Sequence, residues 1–287
     1  MKKIITASLV LIAVSGLAMG CQGIGKQSYS HETSFEANRL EEIEIHNESW
    51  DIEFKHTDSP NITIACEGKR QENKSDPVTI TPDGNKIVVT QQDQGGMGGI
   101  TFGKKGTIYI SIPDHEVDTI TLNNDAGDIK MKNVAVQNIL ITNDSGSQNI
   151  EGLSADKGEF TSKDGEFILK DSSLNELTVK FSSGDSYITG VTSSEMTITS
   201  IDGEVSVKGT EEGKLLRVET KSGDIAVSYK APPASLKLTA SSDSLDINVG
   251  LDGLTEQQST EKSMEGTIGD AANTLELISH AGTITVK

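Results

Sequence analysis

The stretch Leu177-Thr178-Val179-Lys180-Phe181-Ser182-Ser183-Gly184-Asp185-Ser186-Tyr187-Ile188-Thr189 decides the fold. Leu177 and Val179 alternate with polar residues, a Ser-Ser-Gly-Asp turn intervenes, and alternation resumes at Tyr187-Ile188. Period-two alternation marks β-strands with one buried face. The glycine suits a sharp corner, because without a Cβ it accepts positive φ. Two short strands and two turns cannot bury a face alone, so such a unit must stack on copies of itself.

The copies are present. With Gly127 as origin, equivalent glycines follow at Gly146, Gly165, Gly184, Gly203 and Gly223, spaced 19, 19, 19, 19 and 20 residues. Asp243 continues the pattern without the glycine, and Gly282 restores it. Five residues before each origin stand Leu122, Ile141, Phe160, Val179, Ile198, Val218, Leu238 and Leu277, all apolar. Four residues after stand Met131, Ile150, Leu169, Ile188, Val207, Val227, Ile247 and Val286, again all apolar. Seven before, Gly158 is the exception; two after, Gln148 and Ser186 are. Only 34% of the chain is hydrophobic, so two unbroken columns of eight are not chance. They predict an all-β, single-chain β-solenoid of about 19–20 residues per coil. Parallel crossovers favour a right-handed coil. Fixed spacing argues against a Greek-key sandwich, which does not require it.

Outward from the repeats the pattern loosens. Ile43, Ile45, Ile52 and Phe54 reproduce its offsets around Trp50, so the repeat can begin earlier. Residues 40–116 read as an irregular β region capping the solenoid, with a hairpin signal at Pro82-Asp83-Gly84-Asn85 and a glycine-rich loop from Gly95 to Gly106. Residues 117–287 hold the repeats, interrupted by a surface excursion at 249–273.

The first 20 residues read as a secretory signal peptide: Lys2-Lys3, then an uncharged run from Ile4 to Gly20. The run is too short for a stable bilayer-spanning helix, which needs about 20 apolar residues. Leu17-Ala18-Met19-Gly20-Cys21 resembles a bacterial lipobox, with Ala18 where Leu is preferred. Lipidation at Cys21 and a polar tether over residues 21–39 are expected; a diacyl anchor supplies the two chains that stable attachment needs. Ordinary cleavage after Ala18-Met19-Gly20 is the competing reading. Cys66 would then have no disulfide partner and reads as a small buried hydrophobe.

The formal charge of −18 falls to −20 once Lys2 and Lys3 leave with the signal peptide. Such an excess argues against nucleic acid and polyanionic wall polymers as partners. The residues after the corner glycines include Asp128, Glu166, Asp185, Glu204 and Asp224. Stacked carboxylates are candidate calcium ligands, although Ser147 breaks the row and the Gly-Gly-x-Gly-x-Asp calcium repeat is absent. Gly98-Gly99-Ile100-Thr101-Phe102-Gly103-Lys104-Lys105 nearly spells a phosphate loop, but Lys105 replaces the magnesium-binding Ser/Thr and a strand follows. The five histidines show no ligand spacing, although His46 and His56 could approach each other beside Trp50. No cofactor is expected.

The recurring Ser-Gly-Asp-Ile element, as in Lys221-Ser222-Gly223-Asp224-Ile225-Ala226-Val227, resembles the bacterial putative-adhesin family of unknown function. Ile110-Ser111-Ile112-Pro113 and Gly266-Thr267-Ile268-Gly269-Asp270 add to the likeness. The resemblance implies an envelope β-solenoid, often anchored, and carries over no catalytic residue. The expected function is therefore non-enzymatic: a lipid-anchored surface protein for binding or adhesion, or for an envelope stress role. Its partners would be the membrane through Cys21 and an envelope protein or glycan. The alternative is a β-helical polysaccharide-active enzyme or carbohydrate-binding protein. A cleft with converging carboxylates and exposed rings would favour the enzyme.

Overall fold

The computed structural model describes residues 26–37, 40–94, 105–244 and 246–287, and every regular element among them is a β-strand. The strands form two facing sheets of 12 and 13, called here sheet I and sheet II. Each coil contributes one strand to each. In the Gly184 coil, Ser173–Ser183 lies in sheet II and Ser186–Thr189 in sheet I.

The columns read from the sequence are the stacking columns of the core. Ile188 pairs with Leu169 in one neighbouring coil and Val207 in the other. Leu122, Ile141, Phe160, Val179, Ile198 and Val218 stack in sheet II, all buried. The Trp50 coil joins in the expected register, Ile45 on Leu122 and Phe54 on Met131. Two of the three exceptions have steric reasons. A methyl group on Gly158 would lie 2.5 Å from Leu174 Cδ2, so the leucine fills that place. Ser186 is small where its coil carries buried Phe181, whose ring lies 5.3 Å from that of Phe167. Large and small residues thus trade places across the corner to hold the packing density of an interior.

The corner glycines do more than accept a φ of 106–155° from Gly146 to Gly223. A Cβ on Gly146, Gly165, Gly184, Gly203 or Gly223 would sit 2.0–2.3 Å from the carbonyl oxygen of the previous corner glycine. Successive backbones touch there, and only hydrogen fits between them. Trp50 can stand at this position in its coil because Gly68 and Gly106 clear its indole, where a Cβ would meet ring carbons at 2.5 Å. Tyr29 closes on the same ring edge-on, centroids 6.0 Å apart.

Both ends depart from the sequential stack expected. At the start, the Trp50 coil is not outermost: Leu40–Asn47 lies between Lys86–Gln91 and Val117–Asn124, and Asp51–His56 between Gly106–Ile112 and Ile129–Lys132. Residues 40–116 therefore supply two coils of the solenoid, and both sheets run through the boundary expected at 117. The tether expected over 21–39 is a strand from Lys26 to Glu36, paired antiparallel with Asn61–Gln71. Its alternation places Tyr29, Thr33 and Phe35 inward, all buried.

At the other end the last coil is inserted. Asn273–Ser279 lies between Leu215–Ser222 and Leu236–Ser242, and Ile284–Val286 between Ile225–Tyr229 and Ile247–Val249. Ala240, not Leu238, pairs with Leu277, so Asp243 is not that coil's corner equivalent: its register lies two residues further on. An even shift preserves alternation, which is why Leu238 is still buried and the columns looked unbroken. The excursion is a hairpin, Thr255–Ser259 with Ser263–Ile268, that covers the edge of Leu236–Ser242. Glu212 fastens this end, accepting hydrogen bonds from Ala234 N (2.6 Å), Ser235 N (3.1 Å) and Asn273 Nδ2 (2.9 Å). Burial pushes its carboxyl up, but those hydrogen bonds outweigh it and hold it below the usual carboxylate range.

Candidate functional site

The outer face of sheet I carries three parallel columns. Over the eight coils from Trp50 to Gly282, the first holds the residue after the corner: Asp51, Asp128, Ser147, Glu166, Asp185, Glu204, Asp224 and Thr283. The candidate calcium row therefore does stack. Its carboxylates have another use: Asp128 Oδ1 accepts Ser147 N at 3.0 Å, Asp185 Oδ1 accepts Glu204 N at 2.8 Å and Asp224 Oδ1 accepts Thr283 N at 2.7 Å. The aspartates bind each coil to the next through its corner amide. Among the described residues no group of three or more His, Cys, Asp or Glu is placed to hold a metal ion.

Four residues along each strand runs a basic column: Lys55, Lys132, Glu151, Lys170, Thr189, Lys208, Ser228 and Lys287. Lys55, Lys170 and Lys208 make no ion pair within the chain among the described residues. Between the two columns lie Glu53, Lys130, Asn149, Ile168, Tyr187, Ser206, Ala226 and Thr285. Ile168, Tyr187 and Ala226 are half-buried and Ser206 is buried.

Two ladders escaped the sequence reading. Three residues before the corners the buried position is polar, except at Gly184, where Phe181 stands. Asn124 Nδ2 donates to Asn143 Oδ1 at 2.6 Å and to Gly127 O at 3.0 Å, and Asn143 Nδ2 donates to Gly146 O at 2.8 Å and Ser162 Oγ at 3.2 Å. Thr220 and Ser279 both reach Gly223 O, and Ser242 reaches Gly282 O. The second corner has its own left-handed series: Asn133, Gly152, Asp171, Gly190 and Gly209, with φ of 48–68°. Asn, Asp and Gly are the residues that tolerate that region, and their 19-residue spacing was the signal available.

Beside the second corner, an open cavity of about 510 Å³ spans three coils, lined by His115, Gln137, Ser154, Asp156, Ser173 and Asn175 over the apolar floor of Val136, Ala155 and Leu174. It presents amides, hydroxyls, the His115 imidazole and one carboxylate, with no pair of carboxylates and no Phe, Tyr or Trp ring. Phe160, Phe167 and Phe181 are all in the core. His46 and His56 do not meet: His46 Nε2 pairs with Glu44 at 2.7 Å, and His56 sits between Asp58 (3.2 Å) and Asp114 (3.0 Å). The Asp58 hydrogen bond leads in raising the His56 pKa above its ordinary value. Cys66 is buried and free, and burial pushes its thiol up to about 12, which keeps it protonated and inert. The signal peptide, Cys21 and most of the phosphate-loop-like segment lie outside the described residues; Lys105, at its end, pairs with Asp93 at 2.5 Å.

The sequence matches the family model Toastrack DUF4097 over residues 40–287, which takes in every coil of the solenoid. The chain belongs to the Toastrack family. A solved putative adhesin from Bacteroides fragilis is similar to this Toastrack chain, 12% identical over 90% of it and 97% of the adhesin, with a TM-score of 0.55. A putative lipid binding protein from Parabacteroides distasonis is 12% identical over 92% of this chain and 97% of its own, with a TM-score of 0.46. The resemblance to the putative-adhesin family thus holds, and at these identities it concerns the fold. No curated protein matches the sequence.

Proposed function

We propose that this Toastrack chain is a non-enzymatic surface protein, lipid-anchored through Cys21, that binds an envelope glycan beside the second corner of its solenoid. The observation that carries the reading is the chemistry of the cavity at Gln137, Asp156 and Asn175. Amides, hydroxyls, an imidazole and a single carboxylate over a small apolar floor can hydrogen-bond sugar hydroxyls, but they lack the pair of carboxylates that glycoside cleavage uses. The lipobox-like junction supports the anchor, and the solved neighbour named as an adhesin is consistent with a binding role. Two measurements test it together. Cys21→Ser moves the protein out of the membrane fraction. On a glycan array, wild type retains a ligand that Asp156→Ala with Asn175→Ala loses, with no sugar released. Membrane retention of Cys21→Ser would overturn the anchor; binding untouched by the double change, or release of reducing ends, would overturn the site.

A further inference from the structure

The charges on sheet I are segregated, whereas those on the outer face of sheet II are mixed. There, Glu159, Thr178, Thr197, Arg217 and Glu276 follow one another in a single column. On sheet I, acid occupies one margin and lysine the other, Glu151 excepted, and four coils carry both. Asp51 and Lys55, Asp128 and Lys132, Glu166 and Lys170, and Glu204 and Lys208 are each four residues apart in one coil. Where the lysine is missing, its place is taken by Glu151, Thr189 or Ser228, and the partner position holds Ser147, Asp185 or Asp224. No coil carries a like-charged pair across the face.

We infer that sheet I is a self-complementary surface on which a second copy of this chain docks face to face. Two copies can face each other only about a two-fold axis lying in the interface plane. An axis along the strands would set acid margin on acid margin, which is repulsive. An axis along the solenoid sets each coil against its own copy and each acid margin against a lysine margin. Asp128 then meets Lys132 of the second copy, and the reverse, as do Glu166 with Lys170 and Glu204 with Lys208. The middle column lies on the axis, so half-buried Ile168, Tyr187 and Ala226 meet their own copies and supply the apolar centre that interfaces need. Glu53 and Lys130, also in that column, already neutralise each other at 3.4 Å.

A linear polyanion is the other ligand that lysines could take, but the acid margin, about 13 Å away along the strand, would repel it. The face measures about 13 by 34 Å over eight coils. That is roughly 450 Å² per copy, near half the ~800 Å² of a standard interface. The dimer is therefore weak and salt-sensitive. The inference does not rest on the glycan reading, because none of these residues lines that cavity.

The test is crosslinking of the full-length chain in detergent with a short bismaleimide. Tyr187→Cys, on the axis, gives crosslinked dimer; Thr178→Cys, on sheet II, does not exceed wild type. Adding Lys170→Glu with Lys208→Glu cuts the Tyr187→Cys yield about tenfold or more. Glu166→Lys with Glu204→Lys does the same. Mixing the two variants, or combining all four changes in one chain, restores it, which a folding defect could not do; thermal melts of each variant confirm the fold. Equal yields at the two cysteines, indifference to reversal, or failure of the combined variant to recover would overturn the inference. So would lysine-dependent binding of dextran sulfate beside unchanged crosslinking, which would assign the face to a polyanion.

Discussion

Replacing a corner glycine by alanine has a cost that depends on which corner it occupies. Gly184→Ala places a methyl group 2.0 Å from the Gly165 carbonyl oxygen at a φ of +109°. The dihedral alone costs about 1–3 kcal/mol for a residue with a Cβ. The contact must then be relieved by spreading two backbones that neither side-chain rotation nor solvent can separate. Spreading them stretches Phe167 N to Asp185 O, now 3.0 Å, which joins these two coils and is worth about 0.5–1.5 kcal/mol. The loss is therefore about 1.5–4.5 kcal/mol. Gly209, at the second corner, has a φ of +62°, and the atom nearest to where its methyl group would lie is 4.0 Å away. Gly209→Ala therefore bears only the left-handed cost of about 1–2 kcal/mol. Gly209→Asn should be close to neutral, since Asn133 and Asp171 hold the same conformation at φ of 53° and 48°. Urea melts followed by far-ultraviolet circular dichroism give all three values. Equal losses for the two alanine variants would show that dihedral strain, not backbone contact, explains the first corner.

Ile188→Asp removes a side chain with no exposure from a column between Leu169 and Val207; it should cost at least about 1.5–3 kcal/mol plus the burial of a charge, while exposed Thr189→Asp stays within about 0.5 kcal/mol by the same melts. Gln148 is fully buried between Ile129 and Phe167 with both amide atoms unpartnered among the described residues, so Gln148→Met should raise stability by about 1–3 kcal/mol, and a lower melting temperature would refute that. Because the folded Glu212 carboxyl lies below its unfolded value, its contribution is present above about pH 4.5 and is lost as pH falls through the folded value; Glu212→Gln should therefore show a shallower loss of stability below pH 4.5 than wild type, and parallel curves would contradict it.

The fold was legible because a stacked coil repeats its demands on the sequence. Leu169, Ile188 and Val207 face the same interior, so they had to be apolar at one spacing. The corner glycines announced themselves for a harder reason, the approach of one backbone to the next. What stayed hidden was whatever breaks that equivalence. The register of Leu236–Ser242 slid by two residues, a shift that alternation does not register, and only the polar inward position of Ser242, matching Ser279 and Thr220, distinguishes the true alignment. The strand Lys26–Glu36 was concealed by its serines and glutamates, since only Tyr29, Thr33 and Phe35 point inward. The cavity could not be read at all, because Gln137, Asp156 and Asn175 come from three coils and belong to no column of one chemical type.

The two ends answer a problem that the repeats create. A stack of parallel strands leaves an unpaired edge on each sheet at each end, and such edges recruit other chains. A last coil laid in sequence would itself be the edge. Here the chain instead places an outer coil first, Leu236–Ser242 with Ile247–Val249, turns through a hairpin that pairs antiparallel with Leu236–Ser242, and returns to fill the gap with Asn273–Ser279 and Ile284–Val286. At the start, Leu40–Asn47 and Asp51–His56 are likewise flanked on both sides, and the outer coil is covered antiparallel by Val78–Asp83 in one sheet and Asn61–Gln71 in the other. Antiparallel strands close an edge in a way that another parallel coil cannot, because they end the pattern that a further coil would continue. Ending the stack this way covers sheet II at both ends and sheet I at its start, while Ile247–Val249 stays the outermost strand of sheet I at the other end.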